Sequence, residues 1–250
     1  MRPVVSRLRR PTPPGRMSTY HRRMSVLEAV VFDFDGIVLD SETPEYESHR
    51  RIYERCGAAL TVEEWCDGVG LWNEHHEELR FSVLCERSPR APDRDAYDAE
   101  RRRIFDELIP AAPMRGIREL LLALEAAGIP TAIASTSPAR WVRPSVERIG
   151  IASLFRAIVS GDEVARRKPA PDVYLEAARR LGVDPAHAAA IEDSSPGVAA
   201  ANAAGMRVVA IPHRLTRRHD LSAADLSVAH AGELTVDRLR ALMALDVKYP

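Results

Sequence analysis

Cysteine is scarce in this chain of 250 residues: Cys56, Cys66 and Cys85 are the only three, and no two stand in C-x-x-C spacing. An odd, unspaced set supports neither a zinc site nor a disulfide framework, and all three are expected to be buried free thiols in a reducing cytoplasm. No stretch approaches the roughly 20 uninterrupted apolar residues of a membrane helix. The formal net charge is only −1, so the chain as a whole presents no field for nucleic acid or an anionic membrane. No internal repeat recurs at solenoid periods. Acidic residues are missing from positions 1–27, which hold Arg2, Arg7, Arg9, Arg10, Arg16, Arg22 and Arg23 with four prolines. Without an apolar stretch a secretory signal is not expected here, and the functional alternatives for an arginine-rich, acid-free leader are a transit peptide or an anion-binding arm. Residues 1–25 are expected to be a disordered tail, or to lie upstream of a true start at Met17 or Met24.

What is present is an ordinary globular composition, 46% hydrophobic and 28% charged. A valine-rich run, Val26–Phe32, reads as a buried strand closed by Asp33, with a turn-rich piece over Asp35–Glu42. From about 44 to 110 strand-like runs vanish and charge is dense; helices are expected over Glu45–Cys56, Val62–Cys66, Asn73–Glu86 and Arg94–Leu108. From Met114 strands and helices alternate. Strands are expected over Pro130–Ser135, Arg156–Ser160, His187–Ile191, Val208–Ile211 and, weakly, Leu226–Ala229. Between and after them fall helices at Gly116–Ala127, Ala139–Ile149, Pro171–Leu181, Pro196–Ala204 and Val236–Leu245. Alternation of this kind implies an α/β fold with a parallel sheet covered on both faces. Residues 26–43 and 111–250 then form the core, and 44–110 an inserted four-helix domain.

Four segments carry chemistry. In Val30-Val31-Phe32-Asp33-Phe34-Asp35-Gly36, two carboxylates at i and i+2 follow a strand, and the glycine permits a sharp turn. In Ile133-Ala134-Ser135-Thr136-Ser137-Pro138, a strand ends in hydroxyls at a helix start, with Ser137 the expected N-cap; such a place can cradle phosphate. Lys168, before Pro169, can neutralise a bound phosphate, whereas Arg166 and Arg167 read as a solvated basic loop. In Ala190-Ile191-Glu192-Asp193-Ser194-Ser195-Pro196-Gly197, another strand ends in carboxylates, hard oxygen donors suited to Mg²⁺. Taken singly, the first also fits a solvated strand end and the second a plain helix cap.

Together, the phrases FDFDGIVLDSE, IASTS, KPAPDVY and IEDSSPGVAAANAAGM resemble the four motifs of the haloacid dehalogenase superfamily, in the branch with a helical cap between the first two. The resemblance runs from about Val26 to the C-terminus. It implies a Rossmann-like, doubly wound parallel sheet with a four-helix cap, and a monomer. It further implies that Asp33 is the nucleophile that takes up phosphate and that Asp35 is the acid and base. Ser135 with Thr136, and Lys168, would bind phosphate. Mg²⁺ would be held by Asp33, the Asp35 carbonyl, Asp193 and Glu192.

Asp35 points to a phosphate monoester, since family dehalogenases lack that second aspartate and an alcohol leaving group needs an acid. A phosphatase for a small sugar or polyol phosphate, a β-phosphoglucomutase-like phosphomutase and a non-catalytic binding protein all remain open. The mutase pattern has a histidine twelve residues after the nucleophile; here that residue is Glu45, and the nearest histidine is His49. The cap offers Glu42, Glu45, His49, Trp65, Trp72, His75, His76 and Arg80 to a substrate, with Glu45 and His49 the first candidates. The tryptophans read as core, and His75-His76-Glu77-Glu78 as a wetted helix face rather than a metal site.

Overall fold

A computed structural model describes residues 26–66, 74–216 and 218–245, apart from the side chains of residues 74–77. The arginine-rich tail, Trp72, His75, His76 and Glu77 therefore lie outside the described residues or side chains. The strands are β1 Ala29–Phe32, β2 Thr131–Ala134, β3 Ala157–Val159, β4 Ala188–Glu192, β5 Arg207–Ala210 and β6 Leu226–Ser227. The α-helices are α1 Glu42–Arg55, α2 Val62–Cys66, α3 Glu74–Arg87, α4 Arg94–Leu108, α5 Ile117–Ala126, α6 Ala139–Arg148, α7 Asp172–Leu181, α8 Ser195–Ala203 and α9 Val236–Met243. Among these residues no helix is long and apolar enough to cross a membrane.

All six strands pair in parallel, in the order β3-β2-β1-β4-β5-β6. Alternation along each strand divides the interior into two apolar layers. Val30, Phe32, Ile133, Ile191 and Val209 face α5, α6 and α9. Ala29, Val31, Ala132, Ala134, Ala188 and Ala190 face α7 and α8. Each large side chain fully buried here contributes about 1.5–3 kcal/mol. The chain leaves β1 in one direction through β2 to β3, and later in the other through β4 to β6. The reversal opens a crevice beyond the carboxyl ends of β1 and β4, where ligands of open α/β sheets bind.

Helices α1 to α4 separate β1 from α5 in the chain and bury a third apolar cluster of their own. Tyr46, Tyr53, Trp65, Leu84, Tyr97 and Ile104 meet there. Leu215, from the loop after β5, inserts into the same cluster and ties it to the sheet. The first helix begins at Glu42 rather than at Glu45, so the expected boundary after 43 falls inside its first turn. Pro44 is compatible with that turn, where backbone N–H groups have no intrahelical acceptor. Cys56 and Cys66 are buried, but Cys85 is exposed on α3, contrary to the expectation that all three are inside.

Candidate active site

Asp33 follows β1 directly, and its backbone N–H still bonds the Ile191 carbonyl of β4 at 2.9 Å. The ladder thus fixes the position from which its carboxylate leaves the sheet. Lys168 Nζ lies 2.6 Å from Asp33 Oδ1 and 2.6 Å from Glu192 Oε1. The Lys168–Pro169 peptide is cis. Glu192 Oε1 also accepts from the Tyr174 hydroxyl at 2.6 Å, and its Oε2 from the backbone N–H of Asp193 at 3.0 Å. Asp193 accepts from the Thr216 hydroxyl at 3.2 Å. Asp33, Lys168, Glu192 and Asp193 are all buried.

Two glycines make room for these carboxylates. Gly36 has φ +83°, and a Cβ there would overlap the Asp193 carboxylate. A Cβ on Gly197 would overlap Glu192 in the same way. Both motif glycines are therefore required by close approach, and Gly36 by its backbone conformation as well.

Three carboxylates, Asp33, Glu192 and Asp193, bring one oxygen each to within 4.8 Å of one another. Burial drives the Asp33 carboxyl up to about 7, with Glu192 and Asp35 adding to the rise and Lys168 opposing it. Burial, Asp33 and Glu192 raise Asp193 well above the ordinary aspartate value. Burial disfavours the Lys168 ammonium, but Asp33 and Glu192 more than compensate and raise it. One ammonium against three clustered acids leaves an excess of negative charge in a desolvated place. An all-oxygen donor set of this kind fits Mg²⁺, and a divalent cation would supply the missing charge.

Asp35 points to the other side of the crevice and is half-buried. Its Oδ1 accepts from Ser41 Oγ at 2.5 Å and from Trp141 Nε1 at 3.0 Å. Its Oδ2 accepts from Ser137 Oγ at 2.6 Å and, at the limit of bonding, from Ser135 Oγ at 3.5 Å. Ser137 is thus not the N-cap of α6: that position is Pro138, and the serine hydroxyl has been recruited by Asp35. Ser135 is fully buried, and Thr136 beside it is half-buried. Ser194, by contrast, caps α8 by accepting from the Gly197 N–H at 3.2 Å.

Above this edge, α1 and α4 present a second polar group. Glu45 Oε1 accepts from Arg101 at 2.8 Å and lies 3.2 Å from His49 Nε2. His49 is fully buried, with Nδ1 2.5 Å from the Tyr97 hydroxyl and its ring 5.3 Å from that of Trp65. Burial lowers the His49 pKa. Burial disfavours Glu45 ionisation, yet His49, Arg101 and Arg80 hold it down to about 2. Glu42 goes the other way: desolvation, with Asp35 and Glu45 nearby, raises it to about 8. Trp65 is core, as expected, and carries the Arg80 guanidinium 3.6 Å above its ring.

Lys168, Asp33, Glu192 and Asp193 were legible as motif residues, and the fold brings them together. Ser41, Trp141, Tyr174, Thr216 and Arg101 were not singled out. Ser41 bonds Asp35 from six residues away, the others bond the site from farther along the chain, and residue type alone gives no sign of these contacts.

The family model for haloacid dehalogenase-like hydrolases matches residues 30–211 of this chain. The protein CbbY of Rhodobacter capsulatus is 35% identical over 222 residues, covering 80% of this chain and 91% of that one. A phosphorylated carbohydrates phosphatase of Thermotoga maritima is 31% identical over 190 residues, covering 76% and 87%. Among solved structures, a hydrolase of the same family from Deinococcus radiodurans, with bound phosphate and sodium, superposes with a TM-score of 0.70 at 26% identity, covering 88% of this chain and 98% of that one.

Proposed function

The chain belongs to the haloacid dehalogenase-like hydrolases and is a phosphatase of that family, and from this premise we propose that it hydrolyses a small sugar or polyol phosphate through an aspartyl-phosphate, an acyl phosphate formed on Asp33. The observation that carries the reading is the buried group of Asp33, Lys168, Glu192 and Asp193, which holds a nucleophile, a fixed cation and a set of oxygen donors in one crevice.

A carboxylate that attacks a phosphate dianion must overcome repulsion between like charges. The Lys168 ammonium, held 2.6 Å from Asp33, offsets it and neutralises charge on the equatorial oxygens. Mg²⁺ held by Asp33, Asp193 and Glu192, with the Asp35 carbonyl, would add Lewis-acid stabilisation of the same oxygens. Ser135 and Thr136 lie where β2 ends and can donate hydroxyls to the phosphoryl group. Glu192, besides serving as an oxygen donor, holds Lys168 in place.

Asp35 supplies the protons. As Asp33 bonds to phosphorus, the ester P–O bond breaks and Asp35 gives its proton to the departing alcohol oxygen. In the second half Asp35 takes a proton from water, whose oxygen attacks phosphorus and releases Asp33 and inorganic phosphate. Helices α1 to α4 act as the cap and select the alcohol; Glu42, Glu45 and Arg101 face that choice.

The test is phosphate release from phosphorylated sugars, polyols and nucleotides, with Mg²⁺ or with EDTA. Mg²⁺-dependent release that is lost in Asp33→Asn supports the reading. EDTA-insensitive turnover, or full activity of Asp33→Asn, would overturn it. Conversion of β-glucose 1-phosphate only with a bisphosphate primer would assign a phosphomutase instead.

A further inference from the structure

The steps above make no use of Trp141, although it bonds Asp35 and packs between the sheet and α4. Its indole N–H donates to Asp35 Oδ1 at 3.0 Å. Its ring stands edge-on to Phe34, the residue between the two catalytic aspartates, with centroids 6.4 Å apart. The same ring stands edge-on to Phe105 of α4, with centroids 5.4 Å apart. Phe34 is fully buried, so on that side the indole rests against the sheet's own core. Phe105 belongs to the helical segment, so on the other side it rests against the element that would select the substrate.

A carboxylate that gives a proton to one oxygen and later takes one from another must be aimed closely; displacement by about 1 Å can cost 10²-fold in rate. A serine hydroxyl is a loose guide, because its hydrogen rotates and its oxygen also accepts. An indole N–H is a donor only, fixed in the plane of a ring with two torsions. Of the donors on Asp35, Trp141 is thus the one whose direction is set by packing.

We propose that Trp141 is a positioning residue for Asp35: its N–H orients the carboxylate for proton transfer, and its contact with Phe105 makes that orientation depend on the place of α4. The proposal rests on the reading of Asp35 as acid and base, and reaches beyond it to a residue on α6 and its partner on α4.

Trp141→Phe keeps a ring in the packing and removes the N–H. Two esters separate proton delivery from general damage. p-Nitrophenyl phosphate releases a stable anion that needs little protonation, whereas phenyl phosphate releases a poorer one. The expected result is a kcat loss of about 10- to 100-fold on phenyl phosphate, less than about 3-fold on p-nitrophenyl phosphate, and little change in KM. Phe105→Ala should lower kcat on phenyl phosphate by a smaller factor in the wild type and add nothing in Trp141→Phe. Equal losses on both esters, or none, would overturn the role while leaving the phosphatase reading intact. Wild-type protein inert to both esters and to the sugar and polyol phosphates alike would overturn that reading and this role together. A second measurement does not depend on turnover. The indole N–H resonance, assigned by its loss in Trp141→Phe, should move in Asp35→Ala and stay in Asp33→Asn. A resonance indifferent to Asp35→Ala would overturn the proposal.

Discussion

The carboxyl edge of the sheet and helices α1 to α4 both gather charged side chains, but they hold them by different means. At the edge, Asp33 and Glu192 extend from strand ends fixed by ladder hydrogen bonds, and Lys168 lies buried between them. In the helices, many ion pairs run along one helix face, as Arg50 does with Glu47 and Glu54, and Arg103 with Glu100 and Glu107. Exposed pairs of that kind contribute at most about 1 kcal/mol each. Removing one partner from a buried pair costs about 3–5 kcal/mol, because the other charge is stranded without water. The edge therefore tolerates almost no change, while the helix surfaces can vary at little cost. Such a division suits an enzyme in which one region performs a fixed reaction and the other chooses the substrate.

The largest expected effect lies at the edge. Asp33→Asn should reduce phosphate release by about 10⁴-fold or more, as loss of a nucleophile does in other enzymes, with the cooperative thermal transition retained. Lys168→Ala should cost about 10²–10³ in kcat and also lower stability by about 3 kcal/mol, read by denaturant unfolding. An unchanged midpoint would mean that the buried acids had simply taken up protons, and that the contrast with the helices is one of chemistry rather than of stability. Arg101→Ala should raise KM about tenfold with little change in kcat; a loss confined to kcat would move Arg101 from selection to reaction.

Glu42 links the two regions and makes a prediction about pH. Its carboxyl is raised from 4.5 to about 8 in the folded protein. Below 4.5 it is protonated both folded and unfolded. Between 4.5 and about 8 the unfolded state loses the proton and the folded state keeps it, so stability falls as pH rises through that window and levels off above it. Melting curves in EDTA should show this decline, to which the raised Asp33 and Asp193 contribute as well, and Glu42→Gln should make it shallower. A slope identical in the variant would mean that Glu42 is ionised when folded. The smallest effect concerns the thiols: a thiol-specific reagent should modify Cys85 in the native protein and spare Cys56 and Cys66, which are buried.

Much of the architecture was legible because periodicity is local. The strand runs and helix stripes set the element order, and β-strand boundaries differed by only a few residues. The start of α1 was misjudged because Pro44 resembles a break, although proline is acceptable in a helix's first turn. The exposure of Cys85 was misjudged because nothing in residue type says which face of α3 meets the other helices.

By itself, the sequence determined the parallel α/β core, the helical segment between β1 and α5, and the carboxylates, hydroxyls and lysine at strand ends. These follow from patterns of 2 and 3.6 residues and from motifs a few residues long. Only the tertiary structure decided that Trp141 and Ser41 bond Asp35, that Thr216 bonds Asp193, and that Glu45 is shared by Arg101 and His49. Those partners stand 106, 6, 23, 56 and 4 positions apart in the chain, in that order. The reason is physical: a buried polar group must find a partner wherever packing brings one, and packing is settled by the whole fold rather than by neighbours in sequence.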